Sequence, residues 1–297
     1  MKNFKKLALM GLTAVMSLSL LAACGGGNSG SAETPANNTE TTPVESTTPA
    51  GGEETSTTGE FTTVEAGKLI MSTNAQFPPY EMVGDGEGYE GTGYEGIDVE
   101  IAYAIAEKLG LELVVDNMGF DAALQAVQTG KSDIVMAGVT VTDDRLEVMD
   151  FSDTYANGIQ VVIVPENSDI ATIDDLEGKL IGCQMGTTGY IYCSDTPENG
   201  GYGEDAVIPY DDGAAAIQAL MNGQVDCVVI DNAPAQEYVK ANPGLKILDT
   251  EFANENYAIG FAKGNTALKD AVNAALIELV EDGTVQSIID KYIPAEG

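Results

Sequence analysis

The chain has 297 residues, and its 47 acidic side chains outnumber 13 basic ones, which gives a net charge of −34 at pH 7. This charge excludes a nucleic-acid-binding role and electrostatic docking on anionic lipid, because both need a basic surface. The sequence contains no histidine. The commonest general base and the Ser-His and Cys-His catalytic pairs are therefore missing. The cysteines lack the paired close spacing of zinc sites, so no metal or cofactor is expected.

The N-terminal 23 residues have the layout of an export signal. Lys2, Lys5 and Lys6 precede an apolar stretch over residues 7–23, which is short for a stable membrane span. The stretch ends in Leu-Ala-Ala before Cys24, which resembles the lipobox of bacterial lipoproteins. The resemblance implies cleavage before Cys24 and a lipid on its sulfur, which anchors the protein on the outer face of the cytoplasmic membrane. The alternative is an ordinary secretory signal with a chance cysteine.

Residues 24–63 and residues 64–297 differ sharply in composition. Residues 25–63 are almost entirely Gly, Ser, Thr, Glu, Pro, Asn and Ala. Such a segment buries too little apolar surface to offset the entropy of ordering, so we predict a disordered tether, with a glycosylated stalk as the alternative. Residues 64–297 form the folded region, and its length favours two lobes over a single core.

Strands and helices alternate in the first half of the folded region. The hydrophobic periodicity predicts, in order, strand 68–71, helix 98–109, strand 111–115, helix 121–129 and strand 133–139. Gly110 and Gly130 follow the two helices as C-terminal stops. The continuous apolar run at 133–139 is typical of a strand that is buried on both faces.

The same order restarts after a strand at 159–164. It continues with strand 180–183, a helix from Gly189, helix 214–221, strand 225–230 and final helices 268–280 and 284–291. This alternation predicts an α/β fold with two lobes, each a mainly parallel sheet flanked by helices. In such folds ligands bind in a cleft at the carboxyl ends of the strands.

Polar and aromatic side chains follow the predicted strands at four places. The first segment, residues 72–80, contains Asn74 and Phe77, and the second, residues 137–145, ends in Arg145, the one arginine of the sequence. A planar guanidinium binds a carboxylate through two parallel hydrogen bonds. Arg145 is therefore a candidate carboxylate clamp, with a structural ion pair to Asp143 or Asp150 as the alternative.

The third and fourth segments lie in the second half. Residues 184–189 run from a strand into a helix, where free backbone N–H groups favour an anion and Thr188 can add its hydroxyl. Asp231 ends a buried strand, which places a carboxylate where a ligand ammonium can pair with it. For Thr188 and Asp231 alike, the alternative role is to cap the helix that follows.

Six motifs occur in order along the folded region: Phe-Pro-Pro-Tyr (77–80), Gly-Ile-Asp-Val-Glu-Ile (96–101), Ala-Gly-Val-Thr-Val-Thr-Asp-Asp-Arg (137–145), Asp-Phe-Ser-Asp-Thr-Tyr (150–155), Gly-Thr-Thr (186–188) and Val-Asp-Cys-Val-Val-Ile-Asp (225–231). This series resembles the polar amino-acid-binding proteins of ABC importers. These are family 3 solute-binding proteins with the type II periplasmic-binding-protein fold. The resemblance covers nearly all of residues 64–293.

The resemblance implies roles for individual residues. Arg145 matches the arginine that holds the ligand α-carboxylate, and Asp231 matches the aspartate that holds the α-ammonium. Many relatives that bind cationic or amide amino acids have Asp where this chain has Asn74, so Asn74 favours a neutral or polar ligand. The resemblance also implies that Thr188 completes the carboxylate site and that Gly138 and Thr140 supply further ligand contacts. The other implied ligand-binding residues are the aromatic pair Phe77 and Phe120, and Gln184 at a position that varies with the ligand.

The resemblance also implies a mechanism, in which an amino acid binds between open lobes and stabilises their closed arrangement. Crossing segments are expected near residues 156–160 and 255–259. Lobe 1 is then residues 64–156 with 259–297, and lobe 2 is residues 160–255. The expected partners are the amino acid and an ABC importer permease, with the membrane contacted only through the lipid anchor and the protein itself a monomer.

Two other functional classes and one structural question stay open. The same fold serves as a receptor module for small solutes, and some dehydratases use it, for which Asp231 or Glu81 are the candidate general acids. Cys183, Cys193 and Cys227 are an odd number for a secreted domain. One disulfide with a free thiol and three reduced thiols are both consistent with the sequence.

Overall fold

A nine-stranded sheet organises the folded region in the computed structural model, which describes residues 61–293. The predicted signal sequence, Cys24 and nearly all of the predicted tether lie outside the described residues. The strands are β1 (Lys68–Thr73), β2 (Gln76–Phe77), β3 (Glu81–Val83), β4 (Tyr94–Glu95), β5 (Glu112–Asn117), β6 (Ile134–Val135), β7 (Met149–Pro165), β8 (Ile181–Gln184), β9 (Val207–Tyr210), β10 (Cys227–Asp231), β11 (Leu245–Ile247) and β12 (Ala253–Ala262).

Eight α-helices accompany these strands within the described residues. They are α1 (Ile97–Leu109), α2 (Phe120–Gln128), α3 (Asp143–Val148), α4 (Thr188–Ser194), α5 (Gly213–Met221), α6 (Asn232–Ala241), α7 (Thr266–Glu281) and α8 (Thr284–Tyr292). None of the helices over residues 61–293 combines the length and apolarity that a membrane crossing requires.

The strand order is β5-β1-β6-β12-β7-β10-β8-β9, and β11 adds to β7. A parallel group, β5-β1-β6, therefore lies on one side, and a second parallel group, β10-β8-β9, lies on the other. The antiparallel pair of β7 and β12 separates them. This is the two-lobe α/β architecture that the sequence predicts, and we refer to the β5-β1-β6 side as lobe 1 and the β10-β8-β9 side as lobe 2.

The long strands β7 and β12 run side by side between the two groups. Ala253 pairs with Gln160 and Tyr257 pairs with Ala156, and the register becomes irregular just after Tyr257. The segments expected to cross between the lobes, near residues 156–160 and 255–259, lie within these two strands. Side chains from the middle of both strands are thereby brought to the centre of the fold.

Apolar faces of the helices bury the sheet on both sides. In α1 the side chains of Ile97, Ile101 and Ile105 are fully buried, at the four-residue spacing of one helix face. The final helix pair contributes Leu268 and Val272 from α7 and Val285 from α8 to the same core. Each such side chain contributes about 1.5–3 kcal/mol to folding, and the same buried cluster continues into lobe 2 through Ile217 and Val228.

The structure corrects the prediction of a strand over residues 133–139, because β6 contains only Ile134 and Val135. The chain turns out of the sheet at Gly138, which has a left-handed φ of 54°. The Gly138 N–H donates to Oδ2 of Asp98 at 2.9 Å instead of to a strand. The apolar run is buried as predicted, but its second half lines a cleft.

The three cysteines of the folded region are free and fully buried. Cys183 and Cys227 lie on the neighbouring strands β8 and β10, and Cys193 lies on α4. Burial raises the pKa of Cys193 and Cys227, so these thiols are protonated at neutral pH. Of the two alternatives that the sequence left open, the structure has three reduced thiols, which pack as small apolar side chains.

Candidate ligand-binding site

A cleft lies at the carboxyl ends of β1, β6, β8 and β10. Both lobes contribute to it, and the four segments that the sequence singled out at strand ends meet there. All nine predicted ligand-binding residues line the cleft, namely Asn74, Phe77, Phe120, Gly138, Thr140, Arg145, Gln184, Thr188 and Asp231.

Arg145 lies in the short helix α3 and is only 7% exposed. Thr142 caps this helix by accepting the Arg145 N–H, which fixes the start of the side chain. The guanidinium donates from Nη1 to the Thr140 carbonyl at 2.8 Å and from Nη2 to the Gly186 carbonyl at 3.2 Å, and it lies 5.5 Å from the centre of the Phe120 ring. The carbonyls orient the cation without neutralising it.

The alternative role of Arg145, a structural ion pair, is wrong. None of the ion pairs found within residues 61–293 includes Arg145, and Asp150 pairs with Lys263 at 2.9 Å. Burial lowers the pKa of Arg145, and the charge of Glu255 opposes this effect. A buried guanidinium that lacks a bonded carboxylate is suited to receive one from a ligand.

Asp231 ends β10, and every residue of that strand is buried. Its Oδ2 accepts the side-chain amide N–H of Gln160 at 2.7 Å, while its Oδ1 is buried and has no donor among the described residues. Burial, followed by the nearby charge of Glu255, raises the pKa of Asp231 well above the usual range. The side chain makes no capping bond to α6, so the alternative role as a helix cap is wrong.

Thr187, one residue before the predicted Thr188, caps α4. Its hydroxyl accepts from the Tyr190 N–H at 3.4 Å and donates to the Gln184 carbonyl at 2.8 Å. Thr188 is therefore released from the capping role and lines the cleft as the first residue of the helix. The sequence could not separate the two, because either of two adjacent threonines can cap a helix.

Two amides face each other at another part of the cleft. The amide nitrogen of Gln184 donates to Oδ1 of Asn74 at 2.9 Å and to the Asp211 carbonyl at 3.1 Å. The amide nitrogen of Asn74 donates to the Met118 carbonyl at 2.9 Å. This end of the cleft is uncharged, and the bonds join residues from both lobes.

Phe77 and Phe120 supply the aromatic surfaces of the cleft and are nearly buried. Gly138 packs directly on Phe77, because a Cβ at this position would lie 2.9 Å from Cε1 of the ring. The left-handed φ of Gly138 also disfavours any side chain. The close approach of backbone to ring therefore depends on glycine at position 138.

Glu81 and Asp98 form a buried acid pair beside the cleft, and Glu81 lines it. Asp98 accepts the Gly138 N–H at 2.9 Å and the Tyr155 hydroxyl at 2.7 Å. Burial raises the pKa of Asp98 to about 6, while burial and the charge of Asp98 raise that of Glu81 well above its usual range. Both carboxyl oxygens of Glu81 are buried and lack a hydrogen-bond partner among the described residues, while Asp98 fixes the backbone at Gly138.

The sequence reasoning missed other residues of the cleft. Gln160 and Thr187 line it with the predicted residues, and Glu255 lies directly behind Thr140 and Gln160. Gln160 and Glu255 belong to the two segments predicted to cross between the lobes, residues 156–160 and 255–259, which together we call the hinge. Their place in the hinge was the one signal in the sequence that pointed to the cleft.

Comparison with known proteins identifies the family to which the chain belongs. Residues 69–295 match the model of bacterial extracellular solute-binding proteins, family 3. The chain is 34% identical to a probable histidine-binding protein of Neisseria gonorrhoeae (76% of this chain, 83% of the relative), and 32% identical to the L-cystine-binding protein TcyJ of Escherichia coli (78% and 85%).

Among solved structures, an ancestral arginine-binding protein bound to glutamine superposes with a TM-score of 0.68 at 38% identity, over 77% of this chain and 99% of that one. The match to the family model covers most of the chain, and the fold and its lobes agree with the type II periplasmic-binding-protein architecture. The resemblance that the sequence motifs indicate is thereby confirmed. The chain belongs to family 3 of the bacterial extracellular solute-binding proteins.

Proposed function

We propose that this protein captures an amino acid in its cleft and delivers it to the permease of an ABC importer. The observation that carries the proposal is the pairing of opposite charges in one buried site. Arg145 has no carboxylate partner among the described residues, and Asp231 has a buried oxygen without a donor. An α-carboxylate and an α-ammonium supply the two missing partners. The proteins it resembles are named for binding histidine, arginine and cystine, which supports the same ligand class.

The rest of the proposal concerns the protein's setting. We place it on the outer face of the cytoplasmic membrane, held by a lipid on Cys24, with residues 24–63 as tether and with the lobe boundaries given above. It acts as a monomer that binds rather than catalyses. The relatives are named as binding proteins, which supports binding over catalysis.

For the ligand side chain, we propose a neutral or polar group, because the amide pair of Asn74 and Gln184 leaves that end of the cleft uncharged. A cationic amino acid is the second candidate. It is favoured by the buried acids Glu81, Asp231 and Glu255, which face a single buried arginine. The relatives named for arginine and histidine support the second candidate as well.

A thermal-shift screen of the 20 amino acids tests the proposed capture function. A ligand at about 100 times its Kd adds about 2.7 kcal/mol to the free energy of unfolding, so the hit is expected to raise Tm by about 5–10 °C. The hit also decides between the two side-chain candidates. If no amino acid moves Tm, the capture proposal is wrong.

Substituting Asp for Asn74 is expected to shift selectivity towards cations. The new carboxylate is positioned to accept from a guanidinium or ammonium, and hydrogen bonds to charged groups are worth about 1.5–3 kcal/mol. We expect the affinity ratio of L-arginine to L-glutamine to rise about 10- to 100-fold in calorimetric titrations. Asn222→Asp, at an exposed position outside the cleft, adds the same charge and is the control. Equal ratios in both variants contradict this role for position 74.

A further inference from the structure

Glu255 lies in the middle of β12, where the chain crosses between the lobes, and is 5% exposed. It does not line the cleft, but it contacts residues that do. Its Oε2 accepts the Thr140 hydroxyl at 2.9 Å and the Gln160 amide N–H at 3.1 Å. A buried carboxylate is costly unless it is well paired, so this position calls for an explanation.

Gln160 connects Glu255 to the ligand-binding carboxylate. Its single amide nitrogen donates to Oε2 of Glu255 and, at 2.7 Å, to Oδ2 of Asp231. The backbone holds this arrangement, because Ala253 of β12 pairs with Gln160 of β7. One carboxylate in the hinge thus fixes Thr140 directly and Asp231 through a shared amide.

We propose that Glu255 is a positioning residue of the binding site, which aligns Thr140 for the carboxylate end of the ligand and Asp231 for its ammonium end. The inference rests on the proposed amino-acid capture and deepens it. Thr140 and Gln160 line the cleft, whereas Glu255 acts from the crossing strand behind both of them. Glu255 therefore couples the carboxylate-binding and ammonium-binding ends of the site from its position in the hinge.

The charge of Glu255 adds an electrostatic effect to this geometry. The acids that face Asp231 are Glu255 from β12 and Glu81 from β3, and the cation that faces it is Arg145 from α3. The other polar or titratable neighbours are Gln160 from β7, Tyr192 from α4 and Tyr80, which precedes β3. Among the acids, Glu255 contributes most to the raised pKa of Asp231 after burial itself. Removing its charge is expected to lower that pKa.

The test uses the full chain and calorimetric titrations with L-glutamine and L-arginine between about pH 4 and pH 8. Glu255→Ala removes the acceptor, and we expect about 10- to 100-fold weaker binding, the effect of losing a hydrogen bond to a charged group. Glu255→Gln keeps an acceptor but not the charge. We expect its loss of affinity on acidification to occur at lower pH than in the unsubstituted protein. Glu251→Gln, exposed near the start of β12, is the matched control.

Each outcome bears on a different proposal. If the unsubstituted protein binds neither amino acid nor any other in the screen, the capture function fails. If it binds and the Glu255 variants match Glu251→Gln in affinity and pH profile, the positioning role is overturned. Weaker binding of Glu255→Gln with an unmoved pH profile also overturns it, since that result reflects packing alone. Should Glu255→Ala not fold, as circular dichroism will tell, the Glu255→Gln profile decides.

Discussion

Substituting alanine for Arg145 is expected to abolish amino-acid binding and to leave the fold intact. Truncating one partner of a buried, hydrogen-bonded charge pair costs about 2–5 kcal/mol, which corresponds to about 30-fold to several thousand-fold in Kd. Most of the cost arises because the ligand carboxylate enters a cleft whose only buried cation has been removed. The guanidinium also donates to the Gly186 carbonyl of lobe 2, so the substitution removes a bond between the lobes as well.

Calorimetry on three variants checks this prediction. Arg145→Lys keeps the charge but cannot form two parallel hydrogen bonds, so we expect binding between that of the unsubstituted protein and that of Arg145→Ala. Lys179→Ala removes a cation whose ion pair with Asp169, at 3.2 Å, lies on the surface. Exposed pairs contribute about 0–1 kcal/mol, so this control should bind normally. Unchanged affinity in Arg145→Ala would refute the carboxylate role.

In the proposed capture mechanism, ligand binding and closure of the lobes share their contacts. Gln184 donates to Asn74 at 2.9 Å, and the Tyr238 hydroxyl donates to the Gln76 carbonyl at 3.1 Å, each from lobe 2 to lobe 1. A ligand favours the closed arrangement only by the extra contacts it makes there. Substitutions at Arg145 or Gln184 therefore change the free energy of closure along with the direct ligand contacts.

Eight of the nine predicted cleft residues lie in segments that follow predicted strands, which is a local property, whereas Phe120 was predicted from the family resemblance alone. A buried run followed by a polar residue, as at Asp231, identifies the carboxyl end of a parallel strand, and such ends meet at one edge of a sheet. The family resemblance then assigned roles to residues that physical reasoning had left between two alternatives. Arg145 is the clearest example, since its ion-pair alternative depended on where the side chain of Asp150 lies.

Residues whose positions depend on pairing between distant segments of the chain could not be predicted from the sequence. Gln160 and Glu255 are 95 positions apart, and only the register between β7 and β12 brings their side chains together. The shortened β6 has the same origin, because the bond that turns Gly138 out of the sheet comes from Asp98, 40 positions earlier. Hydrophobic periodicity reports burial within a segment and contains no information on such partners.

Replacing Asp231 with asparagine is expected to weaken binding on a scale similar to Arg145→Ala, about 2–5 kcal/mol. The asparagine can still accept from Gln160 through its carbonyl oxygen, but its NH₂ group then points at the ligand ammonium, so a donor meets a donor. The fold should persist, because the substitution is isosteric and removes a buried charge.

The pH dependence of amino-acid affinity distinguishes the role of the Asp231 charge from the role of the size and shape of its side chain. A proton on Asp231 competes with the ligand ammonium, so affinity is full above the pKa of this carboxyl and falls by up to about tenfold per pH unit below it. Because burial and Glu255 raise that pKa, the fall should begin well above the usual range of an aspartate. In Asp231→Asn we expect weak binding that lacks this component, and any remaining slope belongs to the Glu81–Asp98 pair. Identical slopes in the two proteins would show that Asp231 does not carry the ammonium.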